Sequence, residues 1–183
     1  MNEQVEKKCH DLVQMLSCHR ADHEDMQDAV STLMLALTDA GAYIEDFPDY
    51  AWLADIYEQD FADPKLAEAL FACALADAID DFAVVGDKGD EIFDAVVDVL
   101  DDMDIEIDPP DFDRGNWSDY AECIETQLAK LNAKKRLVAL DIDFSDNITV
   151  FVVESADYDS ILGLVHFFNL KYVDSATLPK FNS

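Results

Sequence analysis

Hydrophobic residues recur every three to four positions over roughly the first two thirds of the chain and every second position afterwards. Val5, Leu12, Met15 and Leu16 form one apolar stripe. Met26, Val30, Leu33, Met34 and Leu37 form a second, which the sequence ends at Gly41 as a C-terminal cap. Residues 42–49, interrupted by Pro48, read as a loop, and Tyr50 to Tyr57 as a short helix carrying Trp52, Leu53 and Ile56. Pro64 stands where the first turn of a helix tolerates proline. From Lys65 to Phe82 apolar residues cover much of the circumference, which predicts a central helix packed on several sides. Asp87 to Met103 is sharply two-faced. Ile92, Phe93, Val96, Val97, Leu100 and Met103 fall on one side, and Asp87, Asp90, Asp94, Asp98 and Asp101 on the other. Residues 104–115, with Pro109, Pro110 and Gly115, form the best internal boundary. A helix with Tyr120, Ile124, Leu128 and Leu131 facing inward follows.

After Lys135 the period falls to two. Val138, Leu140, Ile142 and Phe144 alternate with Leu137, Ala139, Asp141 and Asp143, which puts both carboxylates on one face of a strand. Ser145-Asp146-Asn147 supplies turn chemistry and Ile148 to Val153 a second strand, so the pair predicts a hairpin. Ser155 or Asp157 can cap a helix containing Ile161, Leu162, Val165 and Phe168. Asn169 can end it, and Leu170 to Val173 reads as a third strand. The expectation is one α+β domain over residues 1–183. Its helical part, about 1–133, packs on a small three-stranded β-β-α-β sheet at about 135–175.

Charge changes this picture more than composition does. There are 41 Asp and Glu against 12 Lys and Arg, a formal net charge of −29, on a chain that is half hydrophobic. The acid therefore coats a folded body rather than keeping the polymer unfolded. Nucleic acid and anionic membranes are excluded as partners, because phosphate binding needs a patch of Lys and Arg. The basic cluster at Lys130, Lys134, Lys135 and Arg136 reads as a surface feature where a helix runs into a strand. The polar start from Met1 to Lys8 does not read as a secretory signal, and the apolar runs Leu66 to Ala76 and Ile161 to Phe168 fall short of the roughly 20 residues that span a bilayer. Cys9, Cys18, Cys73 and Cys123 show no CxxC spacing. Free thiols in a reducing cytoplasm are expected, and with them a cytoplasmic protein.

The candidate chemistry is carried by carboxylates. Between Asp87 and Asp113 there are twelve acids and one base. Asp90, Asp94 and Asp98 are four apart, so on a helix they repel by about 0.2–0.5 kcal/mol per pair, which a cation or a basic partner would relieve. With Asp101 and Asp102 they form a candidate docking face for a basic protein. The plainer alternative is a solvated face. The bias of 30 Asp to 11 Glu, against helix propensity, also fits adaptation to a salty cytoplasm. Asp104, Asp108 and Asp111 could offer oxygens to Ca²⁺ or Mg²⁺, although prolines stand where an EF-hand loop needs its glycine. Asp141 and Asp143 are the other metal candidates. They resemble the DxD motif of haloacid-dehalogenase-type phosphatases, but too little chain follows for that fold, and a charged edge that discourages strand pairing explains them as well. Cys9-His10, Cys18-His19 and His23 lack the tight pairs of a structural zinc site, and His166 reads as packed or edge-exposed. There is no GxSxG, Walker loop, GxGxxG or HExxH. The leading expectation is a non-enzymatic acidic interaction protein that binds a basic protein, in the manner of an immunity protein. The alternatives are a divalent-metal-binding protein or metal-dependent hydrolase, and a charge that is only salt adaptation.

Two stretches resemble an uncharacterised family of small acidic bacterial cytosolic proteins, a domain of unknown function. One is Ala76-Asp-Ala-Ile-Asp-Asp-Phe leading into Asp87-Lys88 and Asp90-Glu91-Ile92. The other is Leu140-Asp141 followed by Ser145-Asp146 and Val150-Phe-Val-Val153. The resemblance implies a bacterial cytosolic α+β protein and transfers no activity or site.

Overall fold

The computed structural model describes residues 2–112, 115–142 and 147–173. Five helices come first: α1 (Asn2–Leu16), α2 (His23–Thr38), α3 (Ala40–Asp46), α4 (Ala51–Ile56) and α5 (Pro64–Ala78). A short strand β1 (Ala83–Gly86) leads into α6 (Gly89–Asp101) and α7 (Trp117–Leu131). The described residues end with β2 (Lys135–Asp141), β3 (Ile148–Glu154), α8 (Tyr158–Phe167) and β4 (Lys171–Tyr172). The class is α+β, as the change of period predicts. The sheet, however, has four antiparallel strands in the order β1-β3-β2-β4 rather than three.

Both faces of this sheet are covered. On one, Val138 and Leu140 of β2, Ile142 just beyond its end, and Phe151 and Val153 of β3 join a core built with α1, α2, α5 and α8. On the other, Leu137 and Ala139 of β2, Val150 and Val152 of β3 and Val84 of β1 pack under α6 and α7. Central strands buried on two sides read as nearly continuous apolar runs, and Thr149 to Val153, polar only at Thr149, is buried throughout. The helices therefore sandwich the sheet instead of lying on one side of it. α5 is as central as its pattern predicts, with Leu66 and the whole run Ala69 to Leu75 buried.

Several local expectations need correction. Gly41 does not end α2. Asp39 does, and its carboxylate then accepts the Ala42 N–H at 3.0 Å, restarting the chain as α3 where a loop is expected. α5 stops at Ala78, and a single 3-10 turn at Asp80–Phe82 delivers the chain to β1. Leu131 is 55% exposed rather than inward-facing. Asp22 and Asp63 cap α2 and α5, so part of the aspartate excess performs helix capping. In the β2–β3 hairpin, Asp143, Phe144, Ser145 and Asp146 lie outside the described residues, as does Asp113.

Candidate functional site

α6 is positioned by two contacts. Ile92, Phe93, Val96 and Leu100 bury into the core under the sheet, and Gly89 at its first turn meets α7 so closely that an added Cβ would stand 2.9 Å from the Trp117 nitrogen and 3.0 Å from the Asn116 carbonyl carbon. The opposite face carries Asp90, Asp94, Asp98 and Asp101, all exposed, with exposed Asp102 just beyond the last turn. Asp90 and Glu91 suit the positive end of the helix dipole. Asp98, Asp101 and Asp102 crowd its negative end with no base in the last turn, an arrangement that opposes helix stability. Among the described residues, the ion pair on this segment joins Lys88 to Glu91 at 2.6 Å. That hydrogen bond, with the charges of Glu91, Asp87 and Asp90, holds the Lys88 ammonium above the usual lysine range.

The segment after α6 doubles back along α7. Its backbone is gripped at Asp108, whose N–H donates to Gln127 Oε1 at 2.8 Å and whose carbonyl accepts from Gln127 Nε2 at 2.9 Å. Ile107 is buried beside this clamp, and the Phe112 ring meets Tyr120 edge-on with centroids 5.0 Å apart. Tyr120 in turn packs against Phe93 of α6 at 5.4 Å. Between the returning segment and α7 runs an open groove of about 790 Å³. It is lined by Glu106, Asp108, Asp111, Asp119 and Glu122, with Phe112 and Leu131 as apolar surface and Lys130 as the one base among the described lining residues.

Through Phe93 and Phe112, the Tyr120 ring links α6 to the wall of the groove. Burial raises the Tyr120 hydroxyl above the usual tyrosine range, and the carboxylates of Asp90, Asp94 and Asp119 raise it further. Asp119 also lines the groove, so the acids of α6 and of α7 build one continuous negative field. Asp119 is fixed in place by a reciprocal cap, its carboxylate accepting the Asn116 N–H at 2.9 Å while the Asn116 side chain accepts the Asp119 N–H at 3.2 Å.

The docking residues expected from sequence thus share one surface, whereas among the described residues the metal candidates are not gathered into one centre. Asp108 and Asp111 line the groove, and Asp104 is exposed at the end of the turn after α6. Asp141 lies on β2, ion-paired to Lys171 across the sheet edge, and Asp143 falls outside the described residues. Among the described residues no group of three or more His, Cys, Asp or Glu side chains is placed to hold a metal ion. The N-terminal thiols and imidazoles also diverge. Cys9 is buried against Met34, with its thiol pushed up to about 12 by burial, while His19 turns to Asp157 at 2.7 Å. His166 is exposed.

Of the basic cluster, Lys130 and Lys134 are exposed and Lys135 and Arg136 half-buried, so it lies at the surface as expected, with its last two members paired. Lys135 bonds Glu154 at 2.5 Å, and Arg136 lies 3.8 Å from Glu125 with its guanidinium 3.4 Å from the Tyr158 ring centroid. Among the described residues no helix is long and apolar enough to cross a membrane. The chain matches no family model, no curated protein and no solved structure, so the resemblance to small acidic bacterial proteins assigns it nothing.

Proposed function

We propose that the chain is a non-enzymatic binding protein whose acidic α6 face and adjoining groove dock a basic protein, in the manner of an immunity protein that neutralises a cationic toxin or nuclease. The observation that carries this reading is the exposed face of Asp90, Asp94, Asp98 and Asp101 on α6 together with an acidic groove on α7 that has apolar footholds at Phe112 and Leu131. Like charges four residues apart on α6 destabilise the free protein, and a partner rich in Lys and Arg removes that repulsion on binding. The carboxylates steer encounter from a distance, and the groove supplies shape and apolar contact once the partner arrives.

The test is capture of interacting proteins from cells, followed by titration of each purified candidate against the wild type and a triple charge reversal at Asp94, Asp98 and Asp101. The reading expects a basic partner whose dissociation constant rises about tenfold or more on charge reversal and also rises with salt. Unchanged affinity in the variant, or capture of neutral and acidic proteins only, would overturn it.

A further inference from the structure

Away from the acidic face, three side chains from distant parts of the chain meet at the edge of the first core. Lys135 opens β2 and Glu154 closes β3, and the two are directly opposite in the register. Lys135 Nζ donates to Glu154 Oε1 at 2.5 Å and also to Cys18 Sγ at 3.2 Å, while Cys18 Sγ lies 3.8 Å from the same carboxylate oxygen. The sheet fixes two of these groups, and the turn after α1 delivers the third.

That delivery is conformationally demanding. Cys18 and His19 adopt φ of 53° and 59°, the left-handed region that costs a residue with a Cβ roughly 1–2 kcal/mol. The turn is held there by the Cys18 N–H on the Met15 carbonyl at 3.1 Å and the His19 N–H on the Gln14 carbonyl at 2.8 Å. His19 Nε2 to Asp157 Oδ2, at 2.7 Å, ties the turn to the start of α8. Cys18 is 8% exposed and the Glu154 side chain 37%, so the cluster sits at the margin of the core.

We propose that Cys18 and Lys135 are a modification site, at which hydrogen peroxide drives a covalent sulfur–nitrogen cross-link between the α1–α2 turn and the start of β2. In the first step the thiol gives up its proton and sulfur attacks one peroxide oxygen. The O–O bond breaks, the departing hydroxide takes up a proton as water, and Cys18 becomes a sulfenic acid. In the second, the neutral amine of Lys135 attacks that sulfur, an S–N bond forms, the S–O bond breaks, and a second water leaves. Thiol, amine and one peroxide give a sulfenamide and two waters, with sulfur oxidised and peroxide reduced.

Glu154 holds the amine against the sulfur. Burial works to discharge Lys135, but its hydrogen bonds to Glu154 and Cys18 and their charges keep it protonated above the usual lysine range. It must therefore shed a proton before it attacks, and mildly alkaline solution favours the step. Two other thiols lack such a trap. Cys9 faces the thioether of Met34, and Cys123 faces the amide of Gln127, a poor nucleophile.

The experiment treats the full chain with a few equivalents of hydrogen peroxide at mildly alkaline pH, then measures intact mass and maps peptides without reductant. The expected product is about 2 Da lighter than the reduced chain. Its Lys135 resists trypsin and is found attached to the peptide bearing Cys18. A thiol reductant releases it, and the melting temperature is raised while it persists, because the bond closes a loop of over a hundred residues in the unfolded chain. A linked product about 14 Da heavier, with one oxygen kept between sulfur and nitrogen after a second peroxide, supports the same pairing. Lys135→Arg keeps the charge opposite Glu154 and should yield oxidised Cys18 with no linked peptide. In the wild type, a Cys18 left unmodified, carried on to sulfinic acid or paired with another cysteine, with Lys135 still cleaved by trypsin, would overturn the proposal.

Discussion

Gln127 holds Asp108 by both of its backbone groups, accepting the N–H at 2.8 Å and donating to the carbonyl at 2.9 Å. A side-chain amide here imitates a neighbouring strand, and it is a polar contact that fastens the acidic returning segment to α7. Removing it leaves two backbone groups to water and unpins the wall of the groove. Gln127→Ala should destabilise the fold by about 1–3 kcal/mol in denaturant titration and expose residues 104–112 to limited proteolysis. A variant with unchanged midpoint and unchanged cleavage would show that Ile107 and Phe112 suffice to hold this segment.

Tyr43 offers a substitution with the opposite sign. Its ring is fully buried, stacked on Phe47 with centroids 4.7 Å apart, yet its hydroxyl has no hydrogen-bond partner among the described residues. A buried, unpaired hydroxyl costs about 1–3 kcal/mol. Tyr43→Phe should therefore raise the midpoint of urea unfolding without altering its slope, and a lowered midpoint would mean that the hydroxyl finds a partner in solution.

Alkaline pH should unfold the protein through its tyrosines. Burial raises the hydroxyls of Tyr43, Tyr50 and Tyr120 above the ordinary tyrosine value of 10.0, and Tyr50 is further held protonated by donating to Asp77 at 2.6 Å. The folded state thus binds more protons than the unfolded state above that pH. Stability is full below pH 10.0 and falls as pH rises beyond it. Ultraviolet titration should show these three tyrosines ionising late and together with loss of structure. Ionisation of all six as ordinary tyrosines in the folded protein would contradict this.

Salt should stabilise the chain, and no single divalent cation should do so specifically. Each like-charge pair along Asp90, Asp94 and Asp98 contributes about 0.2–0.5 kcal/mol of repulsion that counter-ions screen. The candidate metal ligands are not gathered into one described centre. The melting temperature should climb through a sodium chloride series, with Ca²⁺ or Mg²⁺ adding nothing at matched ionic strength. A saturable rise with one ion, abolished by a chelator, would restore a metal centre as the reading.

Elements that carry their own pattern were legible in the chain, and elements made by distant partners were not. α5, α6 and the β2–β3 pair are visible because burial writes a period into each of them. β1 is four residues following an apolar helix, and what makes it a strand is Val84 meeting Val150. No local propensity encodes that meeting. Gly41 misleads because a glycine after an apolar run looks like a terminator, whereas the capping carboxylate of Asp39 restarts the helix there. At the candidate site the acids themselves are plain in the sequence. The Tyr120 link between α6 and the groove wall, the Gln127 clamp and the meeting of Cys18 with Lys135 all depend on tertiary placement, and in the basic run Lys135 and Arg136 look no different from Lys130 and Lys134.

The pairing of β1 with β3 also sets a clock. α6 can coil as soon as its residues leave the ribosome, but the strand that introduces it has no neighbour until Val150 and Phe151 have been made. At about 5–20 residues per second, that is a delay of roughly 3–13 s during which the acidic helix has no sheet beneath it. Under the proposed function, a basic partner that recognises α6 seated on the sheet meets a finished molecule rather than a nascent one.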